Sequence, residues 1–162
     1  MLTVQSQVTV EGLTGREVTD FLLDARDDRY QAWWPGIHLE LHPVRSGHRA
    51  DHVGDVLFMD EFIGSRRVRS MVEVVESVPG ERVVWQARLR GRRLPVRLTL
   101  EVRDDVGHVE LRHTVTAGWS GRGAVLDPLW RLYFSRSFEQ AMERHVRTEF
   151  RRLRDLLHGA ST

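Results

Sequence analysis

The 162-residue chain contains no cysteine and no lysine; all 24 of its basic residues are arginine. Without thiols there is no disulfide, no thiolate nucleophile and no zinc–thiolate centre, and without lysine there is no Schiff base and no P-loop lysine. Long apolar runs are also missing. None approaches the roughly 20 residues a membrane span requires, and the N-terminal MLTVQSQVTVEG lacks the basic-then-apolar order of a secretion signal, so a cytoplasmic location is expected. Nor does charge of one sign dominate. With 24 basic against 23 acidic residues the net charge is +1, too balanced for a general nucleic-acid binder, whose affinity depends on many uncompensated phosphate contacts.

What is present fits a single folded domain over 1–162, long enough for a real core. Residues 3–10 alternate, with Val4, Ser6, Val8 and Val10 on one face, and predict a half-buried strand. Thr14 and Glu17 have capping-box spacing, and Val18, Phe21, Leu22 and Ala25 recur at helical intervals, so a short helix follows. A second short helix carries Tyr30, Trp33 and Trp34 and stops at Pro35–Gly36. Between Ile37 and about Ala117 the pattern is strand throughout, interrupted by the turns PGE, RGRR and DDVG: six antiparallel strands. One long helix is expected over about 129–158, with Phe138, Met142, Val146, Phe150, Leu153 and Leu157 as its apolar stripe.

The WWPG stop, the VEVVESVPGERVVW hairpin and the amphipathic C-terminal helix resemble the START/SRPBCC helix-grip superfamily, in particular its polyketide cyclase/dehydrase-like members. The resemblance spans the chain and rests on fold-level patterns. It implies an α+β fold: a strongly curved antiparallel sheet of about seven strands, two short helices after strand 1, and the long C-terminal helix across the concave face. It also implies a cavity between sheet and helix for an apolar or amphipathic small molecule. Fold alone does not give function.

Alternation places Phe58, Phe62, Trp85, Leu98, Leu100, Leu111 and Val115 inward, with Phe138 and Met142 from the helix, either as plain core or as cavity wall. His113 shares its strand face with Leu111 and Val115 and should also point inward. Asp60 shares a face with Phe58 and Phe62, and Glu61 with Leu57, Met59 and Ile63, so at least one carboxylate lies on an apolar face. That carboxylate would either have a raised pKa suited to proton transfer or pair with an arginine such as Arg69. His145 and Glu149 flank the helix stripe one turn apart and can edge into the cavity or remain solvated. In GWSGRG, Trp119 is either the tip of a gate over the cavity or part of a simple connector. The tryptophans of WWPG, with Tyr30, read chiefly as a plug sealing one end of the fold.

No metal or other cofactor is expected. His38 and His42 stand four residues apart on a strand, about 13 Å at roughly 3.3 Å per residue, too far to share an ion. His48 and His52, with Asp51 and Asp55, read as a solvated loop, and GWSGRG matches neither the nucleophile elbow nor a dinucleotide loop. The arginines of RLRGRRLPVR read as a solvated face with neighbouring acids. The expected function is binding of a hydrophobic small-molecule ligand (lipid, polyketide or aromatic-like). The ligand-contact candidates are Phe58, Asp60, Phe62, Trp85, Leu98, His113, Trp119, Phe138, Met142 and His145. An enzyme of the cyclase/dehydratase type, using His113 with Asp60 or Glu61, and a homodimeric module pairing through residues 55–63 are the alternatives.

Overall fold

A computed structural model describes residues 1–119, 124 and 127–159. The capping box predicted at the start of the first helix is formed: Thr14 accepts from the Glu17 amide while Glu17 accepts from the Thr14 amide. In chain order the elements are β1 (Leu2–Glu11), α1 (Gly15–Leu23), α2 (Asp27–Trp33), β2 (His38–Arg45), β3 (Val56–Ile63), β4 (Arg66–Val78), β5 (Arg82–Leu89), β6 (Arg92–Asp105), β7 (His108–Ala117), α3 (Asp127–Tyr133) and α4 (Arg136–His158).

All seven strands form one antiparallel sheet in the order β1-β7-β6-β5-β4-β3-β2. Irregular register at His38/Glu40, Pro43/Arg45, Val74/Glu76 and Gln86/Arg88 bends the strands locally. The bent sheet reaches α4 from two sides, so that the helix contacts both β1 and β3, and α2 packs against β2 and α4. At 23 residues, α4 is about 35 Å long. Its buried side carries Phe138, Met142, Val146, Phe150 and Leu153 of the predicted stripe, while Leu157 is only partly buried.

The predicted single C-terminal helix is instead two. Ser135 leaves helical geometry and accepts from the Phe138 amide as the N-cap of α4, so the chain breaks between Tyr133 and Arg136. Helical spacing runs across this break, which is why the pattern alone does not reveal it.

The alternation in β3 resolves against the inward placement of Phe58, Asp60 and Phe62. Leu57, Met59, Glu61 and Ile63 face the interior, and the other three occupy the opposite face. There Asp60 is fully buried beneath Arg67 and Arg69, accepting from Arg67 Nε at 2.9 Å and from Arg69 Nε at 3.1 Å. The Arg67 guanidinium holds its carboxyl below the usual range. This ionic cluster crosses the outer surface of β3, within residues 55–63 named for the homodimer alternative.

Where α1 begins, Gly15 lies against the β4–β5 turn: a Cβ there would stand 2.3 Å from the Gly80 carbonyl oxygen and 2.9 Å from Val102 Cγ1. Backbone on backbone cannot give way. Gly15→Ala should therefore lower stability by about 1–3 kcal/mol, the cost of overpacking, read as a lower urea midpoint with unchanged slope.

Candidate functional site

Between the concave face and α4 lies a cavity of about 330 Å³. Its walls are mostly apolar, with Val72, Trp85, Leu98 and Val115 from the sheet and Phe138 and Met142 from α4. Among the expected contact residues, Trp85, Leu98, His113, Phe138, Met142 and His145 line it. Trp119 stands beside it, its ring 5.2 Å from that of the lining Trp130 and its amide donating to Asp127 Oδ1. The gate expected around it falls mainly on 120–123, 125 and 126, outside the described residues.

Several polar groups of the cavity wall stand together, while Arg69, Ser70, Arg88 and His113 also line it. Glu61 of β3 and His145 and Glu149 of α4 line the cavity, and His38, from the first residue of β2, lies directly behind them. His145 Nε2 is 3.4 Å from both Glu61 Oε2 and Glu149 Oε2; His38 Nε2 is 3.7 Å and 3.6 Å from the same two oxygens. The side chain of His38 has no solvent exposure, and those of Glu61 and Glu149 keep only 10% and 12%.

Each member is aimed by its own element. His145 and Glu149 are one helical turn apart and therefore share a face of α4. Glu61 follows from the inward alternation of β3 and accepts a hydrogen bond from the Tyr30 hydroxyl at 2.8 Å. His38 points inward because the register slips between it and Glu40, so that His38 opposes Glu61 while Leu41, not Glu40, is the next buried residue. The aromatic residues of α2 and its C-terminal cap hold both imidazoles. Tyr30 stacks on His38 with centroids 4.1 Å apart, Trp33 meets the same ring edge-on, and Trp34 stacks on His145 at 4.9 Å. Trp33 Nε1 also donates to the backbone carbonyl of Glu149. The plug expected from WWPG is thus also the wall of this cluster.

The electrostatics are those of buried charges in close contact. Burial opposes a charged His145, but the carboxylates of Glu149 and Glu61 outweigh it and raise its pKa. Burial likewise opposes a charged Glu149, and its two histidine neighbours reverse the effect and lower its pKa. The Tyr30 hydroxyl is pushed well up, by burial first and then by Glu61. His113, on β7 and facing the same cavity, is pushed down by burial, against the pull of Glu149 and Glu61 and with a contribution from His145. Arg88 also reaches the cavity wall but is neutralised by Glu73, which Arg93 engages as well at 3.0 Å.

Tyr30, Trp33 and His38 are the site residues that sequence patterns do not disclose. Strict alternation groups His38 with Glu40 and His42 on a polar face, and only the irregular pairing after His38 turns it in. The aromatic triplet itself was a visible signal, since stacked rings next to a histidine favour its burial.

No family model matches the chain, and no curated protein matches it in sequence. Solved structures share its fold at low identity. TTHA0849 from Thermus thermophilus is 15% identical with a TM-score of 0.60, over 99% of this chain and 100% of that one. The di-domain ARO/CYC BexL of the BE-7585A biosynthetic pathway is 15% identical with a TM-score of 0.56, over 99% of this chain and 52% of BexL. The Aha1 dimer from Colwellia psychrerythraea is 13% identical with a TM-score of 0.51, over 92% of this chain and 98% of that one. The chain shares the helix-grip α+β fold of these structures, as the resemblance implied.

Because His113 is harder to protonate in the folded state, the unfolded chain takes up its proton first as pH falls through about 6.5. Its contribution to stability is therefore present above that pH and is lost below it. His113→Leu should lose less stability than the wild type between about pH 7.5 and 5, measured by urea unfolding at each pH.

Proposed function

We propose that the protein binds an apolar or amphipathic small molecule, of lipid, polyketide or aromatic-like character, in the cavity between sheet and α4. The observation that carries this reading is the cavity itself: about 330 Å³ lined mainly by apolar side chains, with Glu61, His145 and Glu149 together in one wall and His113, Arg69, Ser70 and Arg88 as the other polar lining. That volume falls within the roughly 300–1,000 Å³ of small-molecule sites, and few, convergent polar groups are what orient such a guest. Leu89 and Tyr133 line the cavity and are also exposed, giving an apolar rim through which a guest enters. The helix-grip neighbours support the reading at the level of fold, one of them being an ARO/CYC protein by its name.

A second reading, acid–base chemistry on an enolisable guest, is favoured by one observation. His113, kept neutral by burial, faces the same cavity as Glu61. Of the two carboxylates expected for such chemistry, Asp60 is committed to Arg67 and Arg69 on the far side of the sheet, which leaves Glu61.

Native mass spectrometry of untagged protein purified from its own host should show a retained small molecule. Leu98→Trp, which fills the cavity, should keep its circular dichroism spectrum and weaken binding of an apolar fluorescent probe at least tenfold, about 1.4 kcal/mol. A folded wild type with no retained molecule and no probe binding would refute cavity binding. His113→Ala should leave probe binding intact; loss of turnover of an identified ligand in that variant selects the enzymatic reading.

A further inference from the structure

We propose that His38, Glu61, His145 and Glu149 form a binding site for one divalent transition metal ion of the zinc class, set into the wall of the cavity. One ligand atom from each of the four lies within 4.8 Å of those of the other three. The four histidine–carboxylate separations are 3.4, 3.4, 3.6 and 3.7 Å. A tetrahedral ion with bonds of about 2.0–2.2 Å to imidazole nitrogen and carboxylate oxygen has ligand–ligand edges of about 3.3–3.6 Å. Four of the six edges thus lie close to what the ion requires, and the other two are no longer than 4.8 Å.

Two independent features point the same way. Among the described residues neither ring nitrogen of His38 has a hydrogen-bond partner, nor does Nε2 of His145, although His38 is fully buried. A fully buried imidazole directed at two carboxylates without bonding to either is left unsatisfied, at a cost a metal bond removes. Charge agrees: two buried carboxylates and two neutral imidazoles around a divalent cation sum to zero, which is how buried charge is normally accommodated. The surroundings also fit ligands held for a metal. Tyr30 donates to Glu61, Trp33 anchors the helical turn bearing Glu149 through its carbonyl, and aromatic rings fix both imidazole planes. Nitrogen and oxygen donors without thiolate suit zinc or its divalent neighbours rather than a soft ion.

His38 and His42 remain too far apart along β2 to cooperate, as their spacing implies. The ion is held across elements instead, with one imidazole from the strand and the other from the helix. A smaller cluster of Asp27, Glu40 and His42 is half-exposed, and its histidine is already bonded to Asp27 at 2.9 Å; it serves as the control. The site shares Glu61, His145 and Glu149 with the cavity wall, and the ion is read directly with no guest bound.

The test uses untagged full-length protein stripped with a chelator, shown to be folded by circular dichroism, and titrated with Zn²⁺ by calorimetry and with Co²⁺ by visible absorbance. One equivalent of each ion per chain is expected, Co²⁺ giving the intense visible bands of a four- or five-coordinate nitrogen–oxygen site. His38→Ala and His145→Ala should each weaken binding at least a hundredfold and Tyr30→Phe about tenfold, the last through Glu61, while His42→Ala changes nothing. If an alanine variant does not fold, His145→Gln and Glu149→Gln are read in its place. The proposal is overturned by a folded wild type that binds neither ion stoichiometrically. It is equally overturned by a weak octahedral Co²⁺ spectrum, or by binding lost in His42→Ala and retained in His38→Ala.

Discussion

One helix has to satisfy one face of an entire seven-stranded sheet, and the rest of the molecule follows from that constraint. A flat sheet of this width would leave its outer strands uncovered. Here bulges bend the strands until both β1 and β3 meet α4. Side chains from a curved surface converge on the helix only along its flanks, and the middle strands stand off from it. The cavity is the space left by that geometry, and α2 closes the side on which β2 would otherwise be exposed.

At that closed side the chain concentrates polar groups where water is scarce. Glu61, Glu149, His38 and His145 owe their positions to different structural rules: strand alternation for Glu61, an irregular register for His38, and helical periodicity for the pair on α4. No single local pattern contains all four. Isolated, each would be a costly buried ionisable group; brought together, each offsets the others' desolvation. Their aromatic enclosure keeps the local dielectric low, which strengthens those interactions and raises the penalty for any member left without a partner.

The fold was largely legible in the sequence, because strands with one buried face, turns rich in glycine and a long amphipathic helix each leave a periodic mark. All six strands after Ile37 and the capping box at Thr14 could be read in that way. Much of the cavity wall was legible too: Trp85, Leu98, His113, Phe138 and Met142 lie inward as alternation and helical spacing imply. β3 defeated the reading because both of its faces carry apolar residues and a carboxylate, so period two could not choose between Asp60 and Glu61. Three-dimensional pairing with Arg67 and Arg69 made the choice. His38 was hidden for a different reason: a slip in pairing leaves no trace in composition. The break before α4 was likewise masked by apolar residues that continue at helical spacing through Ser135.

The slip after His38 has a consequence for how this chain tolerates change. A side chain aimed by its rotamer survives conservative replacement of its neighbours, whereas one aimed by an extra residue in a strand depends on the count. His38 and Leu41 both face inward although they stand three apart, which strict alternation forbids, so straightening β2 at its present length would turn one of them out. The inward aim of His38 thus belongs to the spacing of the strand and not to the chemistry of Leu39 or Glu40.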